Sequence, residues 1–175
     1  MEVGNVYGCG NLAVYSVYGY YEDGTPKKTG TAAVHEDPQV NIYGGTITGN
    51  VFGAGKGNGT IVTGTTDVYT GHLFGNTKVK MTGGSCKNIF GGGEGAPVSE
   101  STNVLVNVGT PAATGKHHIE ECVFGGGLGA AAVIGGDTKV TITGSTAIGK
   151  NVYGGGNAGE VRGSTHIDIG GVVSE

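Results

Sequence analysis

One six-residue motif, in which a β-branched and an aromatic residue precede glycines, recurs five times along this chain. It reads NVYGCG, NVFGAG, NIFGGG, CVFGGG and NVYGGG, and it starts at Asn5, Asn50, Asn88, Cys122 and Asn151. The starts differ by 45, 38, 34 and 29 residues. A motif that recurs at this spacing is typical of repeat proteins, in which each unit buries its apolar face only against the next unit.

A second motif alternates with the first and has the period-two pattern of a β-strand. Its apolar positions are Val40 and Ile42, Val79 and Met81, Val104 and Val106, Val140 and Ile142, and Ile167 and Ile169. The intervening positions are mostly polar and include Gln39, Lys78, Asn103, Lys139 and His166. Since alternate residues of a strand point to opposite faces, we expect all five apolar pairs to lie on one buried face.

Glycine explains how such short strands are connected. The chain has 39 glycines among 175 residues, and glycine accommodates tight corners because it adopts positive φ without steric cost. The shortest repeat, 29 residues, fits one turn of a coil with three short strands. A weaker third strand position is indicated by Ile61 and Val62, Val98, Val133 and Ile134, and Val161. We therefore predict an all-β fold, a parallel β-solenoid (right-handed β-helix) of about five rungs.

The longer repeats predict insertions at about residues 12–37 and 110–121. The first contains an Asp23-Gly24 pair that is typical of a hairpin turn, and we interpret residues 66–76 as a partial rung. Half of the eight tyrosines lie in the first insertion, and we predict them as ligand contacts: Tyr15, Tyr18, Tyr20 and Tyr21. Because the repeat pattern is cut at both ends, we expect residues 1–175 to be a single fragment of a longer repeat array.

The asparagines that open the glycine motif occupy one equivalent position in the repeat. Stacked repeats would let their side-chain amides bond to one another, since each amide both donates and accepts. We therefore predict a structural ladder of Asn5, Asn50, Asn88 and Asn151, interrupted by Cys122. The alternative is that asparagine is present because it tolerates turn conformations.

Residues 138–156, TKVTITGSTAIGKNVYGGG, resemble the glycine-rich repeats of large secreted or cell-surface proteins from Bacteroidetes-type bacteria. Those repeats are similar in turn to autotransporter-like right-handed parallel β-helices. The resemblance extends over nearly the whole chain outside the two insertions. It implies a bacterial protein that is extracellular or at the cell surface, with a structural or adhesive role and no catalytic motif.

The charge of the chain and the spacing of its motifs argue against several other functional classes of protein. The net charge is −4 and Arg162 is the single arginine, so the chain lacks the clustered basic face of a nucleic-acid-binding protein. Residues 154–159 match the G-x-G-x-x-G dinucleotide pattern, but related matches recur with the repeat and no helix is predicted to follow them. We therefore expect no cofactor. Three widely separated cysteines, Cys9, Cys86 and Cys122, are predicted to be free thiols.

Two local patterns leave minor alternatives open. Residues 117–122, HHIEEC, contain metal-ligating side-chain types, but a site needs three or four ligands that converge. We predict a solvated loop and no metal site. A row of equivalent threonines, Thr77, Thr102, Thr138 and Thr165, would suit an ice-binding surface if the hydroxyls faced outward.

Together these observations predict a non-catalytic structural or adhesive module. We expect its partners to be proteins or glycans of a host or neighbouring cell surface, and we expect no nucleic acid. The alternative is a carbohydrate-binding or polysaccharide-processing β-helix, although hydrolysis requires a convergent pair of carboxylates and the acidic residues are scattered along the sequence. Unpaired strand edges predict end-to-end self-association, with residues 165–173 as the edge that associates.

Overall fold

The structure, a computed structural model, describes residues 1–170, so residues 171–173 of the predicted associating edge lie outside the described residues. These residues form strands and no helix, so the prediction of an all-β fold is confirmed. The strands are β1 (Glu2–Val3), β2 (Val6–Tyr7), β3 (Tyr15–Ser16), β4 (Gln39–Ile42), β5 (Thr46–Ile47), β6 (Asn50–Phe52), β7 (Leu73–Phe74), β8 (Thr77–Met81), β9 (Asn88–Phe90), β10 (Thr102–Val108), β11 (Val123–Phe124), β12 (Thr138–Gly144), β13 (Val152–Tyr153) and β14 (Thr165–Ile169). Within residues 1–170, no helix offers an apolar stretch that could span a bilayer.

Two five-stranded parallel sheets dominate the molecule, as the repeat pattern predicts. The first, called here the long-strand sheet, has the order β14-β12-β10-β8-β4 and contains the alternating motif of every repeat. Its register places equivalent residues side by side, so that Val40, Val79, Val104, Val140 and Ile167 form one row across the sheet. Neighbouring strands of this sheet therefore come from successive repeats.

The second sheet, called here the aromatic sheet, is built from the glycine motifs in the order β13-β11-β9-β6-β2. Its aromatic rings lie directly above one another, with centroids 4.8–5.0 Å apart and planes within 10° of parallel. The stack runs Tyr7, Phe52, Phe90, Phe124 and Tyr153. Two further parallel pairs, β1 with β5 and β3 with β7, complete the described sheets.

Side chains of the long-strand sheet alternate between a buried and a polar face, as predicted, except at its edge. Val79, Val104 and Val140 are fully buried in the main apolar cluster. Ile167 and Ile169 were expected on the buried face, but they are 39% and 70% exposed. The reason is their position: β14 is the last strand of the sheet, so no described strand covers its outer side.

Each of three long strands begins with a threonine that points into the interior. The hydroxyls of Thr77, Thr102 and Thr138 donate 2.5 Å hydrogen bonds to the carbonyls of Gly91, Gly125 and Gly154, the first glycines of the same repeats. All three threonines are at most 2% exposed. The ice-binding alternative is therefore wrong for these residues, because their hydroxyls connect the two sheets and do not face water.

The third strand position also differs from the prediction. Leu73, Val98, Ile134 and Val161 form one parallel row, and Leu73 takes the place expected for Ile61 and Val62. Ile61 instead pairs antiparallel with Tyr69, so residues 61–69 form a short hairpin-like loop, called here the 61–69 excursion. The segment at 66–76 is thus the end of this excursion followed by β7, and Leu73 is fully buried.

The bounds of both predicted insertions change for the same reason, since flanking residues join the sheets. Tyr15 and Ser16 form β3 and pair with β7, so the first insertion begins after Ser16. Its Asp23-Gly24 turn is present, with Gly24 at φ +81° and Tyr20 opposite Pro26. Near the second insertion, Ile119 is fully buried and pairs with Cys86 and Ile148, so that insertion ends before His118.

Candidate functional site

A polar groove crosses the beginnings of four long strands. Its volume is about 470 Å³. The side chains around it carry both charges and several amides and hydroxyls: Asp37, Gln39, Asn76, Thr77, Lys78, Ser101, Thr102, Asn103, Asp137 and Lys139. Because each strand contributes equivalent positions, the groove repeats similar chemistry about every 4.8 Å.

The floor of this groove is a ladder of polar residues that lie one or two residues before a long strand. Asp37 Oδ1 accepts from the backbone N–H of Asn76 at 2.8 Å, and Asn76 Oδ1 accepts from that of Ser101 at 3.1 Å. Ser101 Oγ accepts from the N–H of Asp137 at 3.0 Å, and Asp137 Oδ1 from that of Ser164 at 2.7 Å. Every member therefore bonds to its equivalent in the next repeat.

A carboxylate pair lies beside this ladder and was not expected from the sequence. Nδ2 of Asn76 donates both to Asp37 Oδ2 at 3.2 Å and to Glu100 Oε2 at 2.7 Å. The two carboxylates are thus held within about 6 Å of each other, since both contact one amide nitrogen. The hydroxyl of Tyr18 donates to the other oxygen of Glu100. This group of four residues, called here the Tyr18 cluster, ties Tyr18 and Asp37 of the first insertion to Asn76 and Glu100 of two later segments.

The hydrogen bonds of the Tyr18 cluster favour a structural role for it. All four carboxylate oxygens accept hydrogen bonds from Asn76 or Tyr18. The hydrogen bond to Glu100, followed by burial, raises the pKa of Tyr18 above its ordinary value. Tyr18 therefore keeps its proton and acts as a donor, whereas a catalytic base requires a pKa shifted towards the working pH.

The other tyrosines of the first insertion differ in how far they reach solvent. Tyr15 is half-buried against the apolar cluster around Leu73, and its hydroxyl donates to the carbonyl of Glu36 at 3.0 Å. Tyr20 donates to the Val14 carbonyl at 2.9 Å. Tyr21 is 59% exposed, with the Lys27 ammonium 5.4 Å from its ring centroid. Tyr20 and Tyr21 therefore present aromatic surface to solvent, and neither they nor Tyr15 line the polar groove.

Three of the four asparagines predicted as a ladder bond from repeat to repeat. Asn5 Oδ1 accepts from the N–H of Asn50 at 2.7 Å, Asn88 Nδ2 donates to Asn50 Oδ1 at 3.0 Å, and Asn88 Oδ1 accepts from the N–H of Cys122 at 2.9 Å. Asn151 instead donates to the hydroxyl of Tyr153 within its own repeat. The row of inter-repeat bonds therefore ends at Cys122.

The metal-ligating side-chain types near residue 120 do not converge. Within residues 1–170, no group of three or more His, Cys, Asp or Glu side chains could hold a metal ion. The solvated-loop interpretation is nevertheless wrong for part of this stretch, since His118 and Ile119 are buried. His118 Nδ1 accepts from the N–H of Ala147 at 3.0 Å.

All three cysteines are free, as predicted. Burial raises the pKa of both Cys9 and Cys86 to about 12, so neither thiol is a reactive nucleophile at neutral pH.

The polar ladder of this groove could have been recognised from the sequence. Asp37, Asn76, Ser101, Asp137 and Ser164 all stand one residue before the start of the alternating motif, and alignment of the repeats on that motif would have revealed the ladder. The pairing of Asp37 with Glu100 had no such signal, because Glu100 lies outside the repeated positions. Comparison of the chain with protein-family models, with curated proteins and with solved structures finds no match.

Proposed function

We propose that this chain is a right-handed parallel β-solenoid of about five coils that serves as a non-catalytic structural and adhesive module. The parallel pairing of equivalent strands from successive repeats supports the solenoid. The right-handed direction of the coil is supported by a general rule, since about 98% of parallel strand–crossover–strand connections are right-handed.

The observation that carries the non-catalytic proposal is that polar side chains of the groove are engaged in hydrogen bonds between repeats. Asp37, Asn76, Ser101 and Asp137 each accept a backbone hydrogen bond from the next repeat. Within residues 1–170, no fully buried side-chain nitrogen or oxygen lacks a partner. Polar groups that are engaged in this way stabilise a rod, and they are not free to activate a substrate.

The adhesive part of the proposal rests on the first insertion. Tyr20 and Tyr21 hold exposed aromatic surface on a loop whose base is fixed, because the Val17 carbonyl accepts from the N–H groups of both Val34 and His35. Exposed tyrosines on a fixed loop contribute large contact area at low entropic cost. Together with the resemblance to bacterial surface repeats, this supports a location at the bacterial surface or outside the cell, and a protein or glycan partner on a host or neighbouring cell.

The test is a panel of immobilised glycans and extracellular-matrix proteins. We expect binding by the wild type to be lost in the double variant Tyr20→Ala/Tyr21→Ala. The matched control is Tyr43→Ala, because Tyr43 is 74% exposed but follows β4, away from the first insertion. Equal binding by all three proteins, or binding by none, would contradict the proposed adhesive surface.

A second candidate, polysaccharide processing, is favoured by one observation: contacts to one amide nitrogen hold Asp37 and Glu100 within about 6 Å of each other. That bound is compatible with the carboxylate separation of retaining glycosidases, roughly 5–5.5 Å. The variant Glu100→Gln separates the two functions. An enzyme would lose release of reducing sugars from a polysaccharide panel, whereas a structural cluster would show only a lower melting temperature. We expect the second result, and no sugar release by the wild type.

A further inference from the structure

We propose that the outward face of the long-strand sheet binds a linear polysaccharide that carries one carboxylate on every second sugar. The polysaccharide would lie in the polar groove and run across the strands, along the direction in which the repeats stack. This goes beyond the function proposed above, because it assigns a second binding surface, separate from Tyr20 and Tyr21, and names the chemical class of its ligand.

The first observation is a row of four side chains at one equivalent position of successive repeats. Each lies two residues after a member of the polar ladder, and the register of β4, β8, β10 and β12 places neighbours side by side. The row, called here the amide–lysine row, consists of Gln39, Lys78, Asn103 and Lys139, which all line the groove and are exposed. Because neighbouring strands lie about 4.8 Å apart, its side chains follow one another at that interval.

The second observation is that this row, unlike the ladder, is available to a ligand. Within residues 1–170, no ion pair includes Lys78. Lys139 Nζ lies 3.3 Å from Asp168 Oδ2, but both side chains are about half exposed, and ion pairs of this kind contribute little to stability. A ligand carboxylate can therefore compete for Lys139 at small cost.

The third observation is the sign of the charge on this face. The chain as a whole has a net charge of −4, yet the outward positions of β8, β10 and β12 carry Lys78, Lys80 and Lys139, and these three strands contain no acidic residue. The two carboxylates at the groove floor, Asp37 and Asp137, accept hydrogen bonds from backbone N–H groups of the next repeat. The face is therefore complementary to an anionic ligand.

The order of groups along the row indicates which kind of anionic chain fits. Amide and ammonium groups alternate, so Lys78 and Lys139 are separated by Asn103 and by two strand spacings, about 10 Å. A disaccharide unit of an extended polysaccharide covers a similar length. A carboxylate on every second sugar would meet both lysines, and the sugar between them would offer polar groups to the Asn103 amide, which both donates and accepts.

Other ligand classes fit the row less well. A neutral polysaccharide would make no use of the charges of Lys78 and Lys139. A polymer with an anion on every unit, such as polygalacturonate or DNA, would place surplus charge against Asn103 and near the carboxylates of Asp37 and Asp137. Since the ion pairs with the ligand would be exposed, we expect binding to weaken as salt is added.

The test compares three hexasaccharides by isothermal titration calorimetry at low ionic strength. A hyaluronan hexasaccharide has a carboxylate on every second sugar, a galacturonate hexamer has one on every sugar, and chitohexaose has none. We expect hyaluronan to bind most tightly, galacturonate more weakly and chitohexaose least. A single-stranded thymidine oligonucleotide, which should bind more weakly than hyaluronan, tests whether charge alone is sufficient.

The variants address the lysines and their spacing separately. Lys78→Gln/Lys139→Gln should weaken hyaluronan binding by about tenfold and leave the melting temperature unchanged, because both side chains are exposed. Lys87→Gln/Lys116→Gln removes the same charge from exposed lysines outside the groove and should bind as the wild type does. Asn103→Lys should make galacturonate the tighter ligand, since the row would then present three successive cations.

Several results would overturn the proposal. They are no binding of the hyaluronan hexasaccharide, equal losses in the groove and control variants, oligonucleotide binding as tight as that of hyaluronan, or an affinity order that Asn103→Lys leaves unchanged. Tyr20→Ala/Tyr21→Ala should not alter hyaluronan binding, because neither tyrosine lines the groove. Failure of the groove is therefore distinguishable from failure of the adhesive surface on the first insertion.

Discussion

The strands β10 and β14 have nearly the same sequence pattern but opposite environments. In β10, Thr102, Val104, Val106 and Val108 are buried, whereas every residue of β14 is exposed. Both strands direct their apolar side chains to the same face, because their registers through β12 are the same. Alternation therefore determines which way a side chain points, and a covering repeat determines whether it is buried.

The largest expected difference is between a charge placed in β10 and the same charge placed in β14. Val104→Asp should cost more than about 4 kcal/mol and unfold the chain, because it leaves an unpaired carboxylate in the core. Ile167→Asp, at the equivalent position, should cost less than about 1 kcal/mol because solvent reaches it. Urea unfolding followed by circular dichroism measures both. Equal losses would mean that burial does not follow position in the stack.

A smaller effect should come from pH, through a histidine enclosed by the stack. His72 packs on Phe74 with ring centroids 4.0 Å apart, and its Nε2 lies 2.9 Å from Ser99 Oγ. Burial lowers its pKa from 6.5 to about 4. Between these values the unfolded chain binds a proton that the folded chain does not, so stability is lost as pH falls through this window.

The loss through His72 should reach roughly 3 kcal/mol at pH 4, since one pKa unit corresponds to about 1.4 kcal/mol. The measurement is the free energy of unfolding at pH 7 and at pH 4 for the wild type and for His72→Gln. The variant should lose less stability than the wild type on acidification, and an unchanged pH dependence would contradict the assignment.

Two glycines at equivalent motif positions sharpen the same comparison. A Cβ on Gly126 would lie 2.7 Å from the backbone nitrogen of Gly156, whereas a Cβ on Gly155 would meet nothing within 4 Å. Gly126→Ala should therefore cost about 2 kcal/mol through overpacking. Gly155→Ala should be neutral or slightly stabilising, because alanine restricts the unfolded chain. Thermal unfolding of the two variants distinguishes them, and a larger loss at Gly155 would be inconsistent with the stacking order.

The smallest predicted effect concerns the interrupted row of asparagines. Cys122→Asn would supply a side-chain amide next to Asn88 and extend the row by one repeat, and we expect a gain of about 1 kcal/mol. Cys122→Ala, which adds no polar group, serves as the control and should not gain stability. A comparison of the urea midpoints of the two variants is sufficient, and a gain in neither would indicate that the row ends at Cys122 for reasons other than its side chain.

The fold was predictable where the repeat itself contains the information. The alternating pattern around Val104 and the motif around Phe90 indicated two strands per repeat, and both are present in parallel sheets. The sequence signal for the third strand position was weaker, because Leu73 and Ile61 are both apolar and lie only twelve residues apart. The backbone pairing decides between them, since Ile61 pairs with Tyr69 of the same segment and Leu73 pairs with Val98 of the next repeat.

The candidate site was less predictable because its key contact is long-range. Tyr18 and Glu100 are 82 residues apart, and no repeat period relates them. Their contact depends on how the first insertion folds back onto the stack. The burial of Ile119 was missed for the opposite reason: it follows the histidines of an irregular segment, and the polar composition of that segment obscured one apolar residue in register with Cys86.

Successive repeats pair in parallel with equivalent residues side by side, and engineered disulfides can test this register. Asn103 and Lys139 are register partners on the exposed face, so their Cα atoms should be about 4.8 Å apart, within the 4.4–6.8 Å range of disulfides. Asn103→Cys/Lys139→Cys should oxidise readily to an internal disulfide, identified by mass spectrometry of tryptic peptides. Asn103→Cys/Thr141→Cys, shifted by two residues on the same face, should remain reduced. A disulfide in the shifted pair, or none in the aligned pair, would contradict the parallel register of β10 and β12.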